Sequence, residues 1–87
     1  MRIRKLQQVF SRKGVIYTQV DEYDNCYIYQ LNNGYYEVFK KRLSDPHPDY
    51  DYDYDKVECY PTDDAFGTWA WCYPNYWMAQ RKAESLY

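Results

Sequence analysis

No window of this chain approaches the roughly 18 uncharged apolar residues that a helix needs to cross a bilayer. The opening run from Met1 to Gln8 has no continuous apolar stretch behind its positive charges, so it does not read as a secretory leader. Both observations point to a soluble, cytoplasmic protein without a membrane role. Cysteine is scarce: Cys26, Cys59 and Cys72 are odd in number, far apart and outside a secretory context, which predicts reduced structural thiols rather than a disulfide framework. The glycines Gly14, Gly34 and Gly67 stand apart from one another, and a glycine-rich phosphate loop is excluded. The single histidine, His47, lies between two prolines, a poor setting for a general base that must be held in place.

What the chain does have is aromatic bulk. Its 87 residues allow one domain, 1–87, with a single small core. A fold of this size buries only about 60% of the surface its unfolded chain exposes, so large rings must supply much of the apolar area. Thirteen tyrosines, three tryptophans and three phenylalanines are available for that task. The formal net charge of −2 hides an uneven layout. Residues 1–13 carry Arg2, Arg4, Lys5, Arg12 and Lys13 with no acid, whereas residues 45–64 carry eight acids against Lys56 alone. This asymmetry bears on partners more than on fold.

Residues 3–10 fit a loose helical stripe, yet Leu6, Gln8 and Phe10 also share one face of an alternating strand, and the strand is the preferred reading. Val15, Ile16, Thr18 and Val20 predict a strand over 15–22, ended by the polar run 21–25. The clearest local signal is a β-hairpin: strands over 26–31 and 35–40 flank Asn32-Asn33-Gly34, where Asn-Gly tolerates positive φ. Tyrosines fall on both faces of that hairpin, so either a helix covers one face or rings are left exposed. Residues 44–56, with two prolines and a charge run, read as an acidic Asp/Tyr-rich loop. Val57 to Tyr60 is expected to re-enter the sheet as a short strand, and 68–73 to form another with Trp69, Trp71 and Tyr73 on one face. Beyond Pro74 the apolar spacing becomes helical through Tyr76, Ala79, Ala83 and Leu86, with Asn75 as N-cap. The predicted fold is α+β: an antiparallel β-meander of four or five strands with one C-terminal helix packed on a face, against the tryptophan strand.

The run Tyr60-Pro61-Thr62-Asp63-Asp64-Ala65-Phe66-Gly67-Thr68-Trp69-Ala70-Trp71, preceded by Gly34 to Lys40 and followed by a short helix, resembles small aromatic-rich proteins of bacterial genomes and mobile genetic elements. The resemblance spans about residues 15–86. It implies a meander plus helix and no particular activity or site residue.

Residue spacing limits the catalytic and metal chemistry open to the chain. Cys59 with His47 is the one conceivable thiol pair, and nothing in the sequence orients it. Asp49, Asp51, Asp53 and Asp55 imitate the start of a calcium loop, but counting from Asp49 places Tyr54 and Tyr60 where a glycine and a bidentate acid are required. No Cys-x-x-Cys pair offers a zinc site. The expectation is therefore no enzyme, no cofactor and no metal. In an extended backbone, however, alternate carboxylates form a row about 6.6 Å apart that could imitate phosphates or meet a basic surface.

Sequence reading thus favours a non-enzymatic protein–protein interaction module, an accessory or inhibitor-type protein of a mobile element. It would act through exposed tyrosines and the partner-binding set Asp49, Tyr50, Asp51, Tyr52, Asp53, Tyr54 and Asp55. The partner would be a protein with a basic surface. An acidic nucleic-acid mimic is the first alternative, and a small enzyme using Cys59 or His47 the second. Direct nucleic-acid binding through the N-terminal cations and Lys40-Lys41-Arg42 is opposed by the acidic loop and a pI near 5.2. An uncovered sheet face or edge would favour a homodimer.

Overall fold

The computed structural model describes residues 2–49 and 51–86. In chain order the elements are β1 (Ile3–Arg4), β2 (Val9–Arg12), β3 (Val15–Glu22), β4 (Cys26–Leu31), β5 (Tyr36–Lys40), β6 (Leu43–Ser44), β7 (Lys56–Glu58), a 3₁₀ turn (Asp63–Ala65), β8 (Ala70–Tyr73) and α1 (Tyr76–Ser85). The fold is α+β. Five antiparallel strands form the main sheet in the order β2-β3-β4-β5-β8, and a small second sheet has the order β1-β7-β6. None of the described helices is long and apolar enough to cross a membrane.

Two tight turns set the register of the meander. Between β4 and β5, the Gly34 amide donates to Leu31 O at 3.0 Å and Gly34 alone takes a positive φ, 95°. That pattern is a turn closed by a glycine bulge rather than a two-residue Asn-Gly turn. Between β2 and β3, Arg12 pairs directly with Val15, so only Lys13 and Gly14 turn the chain, at φ 53° and 79°. Two positive φ values in a two-residue loop match the twist of the strands, at the expense of holding a lysine in the left-handed region.

The expected single strand over 3–10 is therefore corrected to two pieces. β2 continues to Arg12 in the main sheet, while β1 pairs in parallel with β7, Ile3 opposite Lys56. β7 also does not re-enter the meander as expected. It runs between β1 and β6, because Leu43 and Ser44 meet it antiparallel on its other side.

The main sheet separates two cores. One face packs Tyr17, Tyr27, Tyr29, Leu31 and Phe39 under Ala65, Ala70, Phe10, Tyr60 and Trp69. Phe10 stacks on Tyr17 at 4.9 Å between ring centroids, Phe39 stacks on Tyr29 at 5.5 Å, and Tyr60 meets Phe10 edge-on at 5.3 Å. The other face packs Cys26, Ile28 and Val38 against Ala79 and Ala83 of α1. Small residues at those two helical positions let α1 lie close to the sheet, while Asn75 Oδ1 accepts the Met78 amide at 3.2 Å and caps its start. The helix lies over β4 and β5 as well as β8, so it spans more of the sheet than the tryptophan strand alone. Trp69 does not share a face with Trp71: β8 begins at Ala70, and Trp69 joins the tyrosine core with the Arg42 guanidinium 4.9 Å from its ring.

A bulge between Gln19 and Asp21 changes which side chains reach each face. Asp21 moves to the helix side, where the Tyr76 hydroxyl donates to it, and Glu22 turns toward Lys5 and Lys41. The two lysine hydrogen bonds, Lys41 first, hold the Glu22 carboxyl below its usual range.

Glu37 is the buried acid of the tyrosine face, 7% exposed, and it accepts the Tyr60 hydroxyl. Burial pushes its pKa above the ordinary carboxyl value, although the Tyr60 bond and the Arg12 charge pull the other way. An acid whose folded pKa is raised binds its proton more tightly in the native state, so its contribution weakens folding as pH rises through the raised value. Glu37→Gln keeps an acceptor for Tyr60 and removes the buried charge. The variant is expected to gain stability over the wild type as pH rises above the ordinary carboxyl range in urea titrations, and a pH-independent difference would contradict this account.

Candidate binding site

The acidic loop is clasped by the basic arm. Arg4 Nε lies 3.0 Å from Asp51 Oδ1, and the second Asp51 oxygen accepts the His47 amide at 3.2 Å. The Arg2 amide donates to Asp55 Oδ2 at 2.6 Å, the Asp55 amide returns to Arg2 O at 2.8 Å, and the Arg2 guanidinium lies 5.1 Å from the Tyr54 ring centre. Lys56 pairs with Asp45 at 2.6 Å. The backbone turns here instead of extending, with the Tyr54 amide bonded to Asp51 O at 2.9 Å. A straight row of carboxylates is therefore not formed, and the predicted loop over 44–56 begins and ends within strands, Ser44 in β6 and Lys56 in β7.

Of the seven residues expected to bind a partner, Asp51 is buried and Tyr54 half-buried, while Asp49, Asp53 and Asp55 are exposed and Tyr52 is 77% exposed. Tyr50 lies outside the described residues. The sheet tyrosines Tyr27 and Tyr29 are fully buried, so the exposed rings come from elsewhere. His47 Nδ1 accepts the Asp49 amide at 3.1 Å, and Cys59 Sγ faces Val57 O at 4.0 Å. All three cysteines are free thiols, with Cys26 pushed up to about 11 by burial. Among the described residues no group of three or more His, Cys, Asp or Glu is placed to hold a metal ion.

A cavity of about 410 Å³ is lined in part by Arg4, Lys5, Phe10, Arg12, Glu58 and Tyr60. Its charges are already engaged within the fold. Arg4 binds Asp51, Lys5 binds Glu22 at 2.5 Å, Arg12 lies 4.7 Å from the Tyr60 ring and donates to Pro61 O, and Glu58 accepts two hydrogen bonds.

A different arrangement occurs where β8 meets α1. Register places Trp71 opposite Val38 and Tyr73 opposite Tyr36, both on the helix side of the sheet. On α1, Trp77 and Arg81 are one turn apart, as are Met78 and Lys82. The Arg81 guanidinium lies 5.8 Å from the Trp77 ring centre and the Lys82 ammonium 4.1 Å from that of Trp71. Tyr73, Trp77, Met78, Arg81 and Lys82 line an open groove of about 390 Å³. Trp77 remains 55% exposed although Ala79 and Ala83 on the same helix are completely buried. Tryptophan, tyrosine, methionine and arginine are the residue types enriched at interface centres.

In the sequence Arg81 and Lys82 lie mostly outside the apolar stripe of the helix, and nothing there marks a groove. The one local signal is the i, i+4 pair Trp77/Arg81, which presents a ring and a cation together. No protein-family model matches the chain, and neither the curated proteins nor the solved structures provide a match.

Proposed function

We propose that this protein is a non-enzymatic interaction module whose groove between β8 and α1 receives an acidic, apolar-anchored segment of a partner protein. The observation that carries this reading is Trp77, a large ring kept half-exposed by its own helix with the Arg81 guanidinium beside it and Lys82 lining the same groove. Burying the exposed half of this ring on binding removes about 100 Å² from water, and Arg81 and Lys82 select negative charge next to it. An accessory or inhibitor that works by occupying a partner's surface needs no more chemistry than this. Its three free thiols fit the reducing cytoplasm. The exposure of Tyr52, at 77% between Asp49 and Asp53, supports a second contact of opposite sign at the tip of the acidic loop, suited to a basic protein surface.

Calorimetric titration with peptides that combine glutamates with one leucine or phenylalanine anchor tests the groove. Trp77→Ala is expected to weaken binding by about 30-fold, the scale of an interface hot spot of about 2 kcal/mol. Arg81→Glu should weaken it further at low salt than at high salt. Tyr52→Ala combined with Asp49→Asn and Asp53→Asn should leave this affinity unchanged. Equal affinity of wild type and Trp77→Ala would remove the groove from consideration.

A further inference from the structure

The two outer strands of the main sheet are not equivalent. In β2 and β3, the Gln19 amide donates to Gln8 O at 2.7 Å, and Phe10 and Arg12 stand opposite Tyr17 and Val15. Hydrogen-bonded pairs alternate along an antiparallel ladder, so Gln8, Phe10 and Arg12 direct their backbone groups into the sheet. Val9 and Ser11 direct theirs away from it. At the opposite edge, the same reasoning from Lys40 N to Trp69 O, at 2.9 Å, turns Ala70 and Cys72 outward. There the Gly67 amide already occupies Ala70 O at 2.8 Å, and Pro74, next in phase, has no N–H to offer. β8 is a blunted edge and β2 is an open one.

Beside the open edge, the helix side of the sheet is uncovered. Val9 is 58%, Ile16 47% and Val20 37% exposed, and their neighbours Ser11 and Thr18 are exposed but uncharged. In a chain that is 28% charged, an uncharged strip along an open strand suits an equally uncharged surface. A second copy of the same edge meets that condition.

We propose that two copies of this protein associate through β2, pairing it antiparallel with β2 of the second copy about a two-fold axis at Phe10. Val9 of one copy then exchanges two backbone hydrogen bonds with Ser11 of the other, and Ser11 with Val9. Phe10 meets Phe10 across the axis, and Arg12 faces Gln8, so no like charges are opposed. The symmetry closes at two because the blunted β8 edges do not extend the sheet. A pairing of four residues per strand belongs to the small end of the interface scale, which makes the association dependent on concentration.

Sedimentation velocity from micromolar to millimolar concentration, combined with amide hydrogen exchange, tests the proposal. A monomer–dimer equilibrium is expected, with the Val9 and Ser11 amides exchanging freely when dilute and protected when concentrated. Ser11→Pro removes an outward N–H that β3 does not use, and Val9→Lys adds a charge to the strip. Each should return the protein to monomer at all concentrations, and the lysine variant leaves every backbone bond of the fold intact. A protein that stays monomeric at millimolar concentration overturns the proposal. So does a dimer that survives both substitutions, or exchange at Val9 and Ser11 that ignores concentration.

Discussion

Tyr29→Ala is expected to remove a large share of the protein's folding stability. Tyr29 is completely buried, and its ring centre is 5.3 Å from that of Phe10, 5.8 Å from that of Tyr27 and 5.5 Å from that of Phe39. Its hydroxyl donates to Gln7 O at 2.7 Å and accepts from Gln19 Nε2 at 3.1 Å, tying the segment before β2 to the centre of the sheet. Truncating a buried aromatic to alanine costs about 3–5 kcal/mol, from lost transfer energy and the remaining cavity. Domains of this length are stable by roughly 5–10 kcal/mol in total. The loss therefore consumes a large share of the margin, and the stranded Gln7 carbonyl adds to it. Tyr29→Phe separates the two contributions: it keeps the ring packing and should cost only about 1 kcal/mol. Urea denaturation followed by near-ultraviolet circular dichroism measures both. A cooperative transition in Tyr29→Ala within about 1 kcal/mol of the wild type would show that the stacked rings are not the stabilising centre.

The second large effect is expected at Glu58, a residue with no obvious role in the sequence. From β7 its Oε1 accepts the Leu6 amide at 2.9 Å and the Tyr27 hydroxyl at 2.5 Å. Tyr27 is wholly buried, with the Lys41 ammonium 4.9 Å from its ring centre. Burial first, and the bond to Glu58 second, hold its phenol far above the ordinary range. Glu58→Ala leaves two donors without an acceptor, at roughly 1–3 kcal/mol each. The combined loss should amount to about 2–6 kcal/mol, and the Leu6 amide should exchange faster as residues 4–7 lose their attachment. Adding Tyr27→Phe to Glu58→Ala removes one stranded donor and should recover part of the loss. A double-mutant cycle without coupling between these two positions would contradict the shared hydrogen-bond account.

Both predictions concern a layer whose members come from distant parts of the chain. The groove and the β2 edge, by contrast, are surface features that can change with little effect on folding. Interface substitutions such as Trp77→Ala should therefore separate from core substitutions in any combined measurement of binding and stability.

Local chemistry made much of the architecture legible. Alternating apolar residues around Asn32-Asn33-Gly34 specify the β4–β5 hairpin, and the β-branched run from Val15 specifies β3. The stripe Tyr76, Ala79, Ala83 and Leu86 behind Asn75 specifies α1, because helix phase and capping depend on near neighbours. The Lys13-Gly14 turn was harder to see. Lysine adopts a positive φ only when the strands on either side require it, so residue type alone is a weak signal there.

The clasp between Arg2 or Arg4 and the Asp/Tyr loop, the Glu58 bond to Leu6 and the parallel pairing of β1 with β7 join segments separated by more than half of the chain, and Glu58 reaches Tyr27 across 31 residues. The sequence by itself determined the strands of the central hairpin, the helix and its N-cap, and the opposed charges of arm and loop. Tertiary structure alone decided that those charges meet, that Asp51 turns inward while Tyr52 stays outside, and that Trp69 and Trp71 part to opposite sides of the sheet. Side-chain alternation and helix capping depend on a few neighbouring residues. Which distant partners meet is settled only when the whole chain closes around the aromatic core.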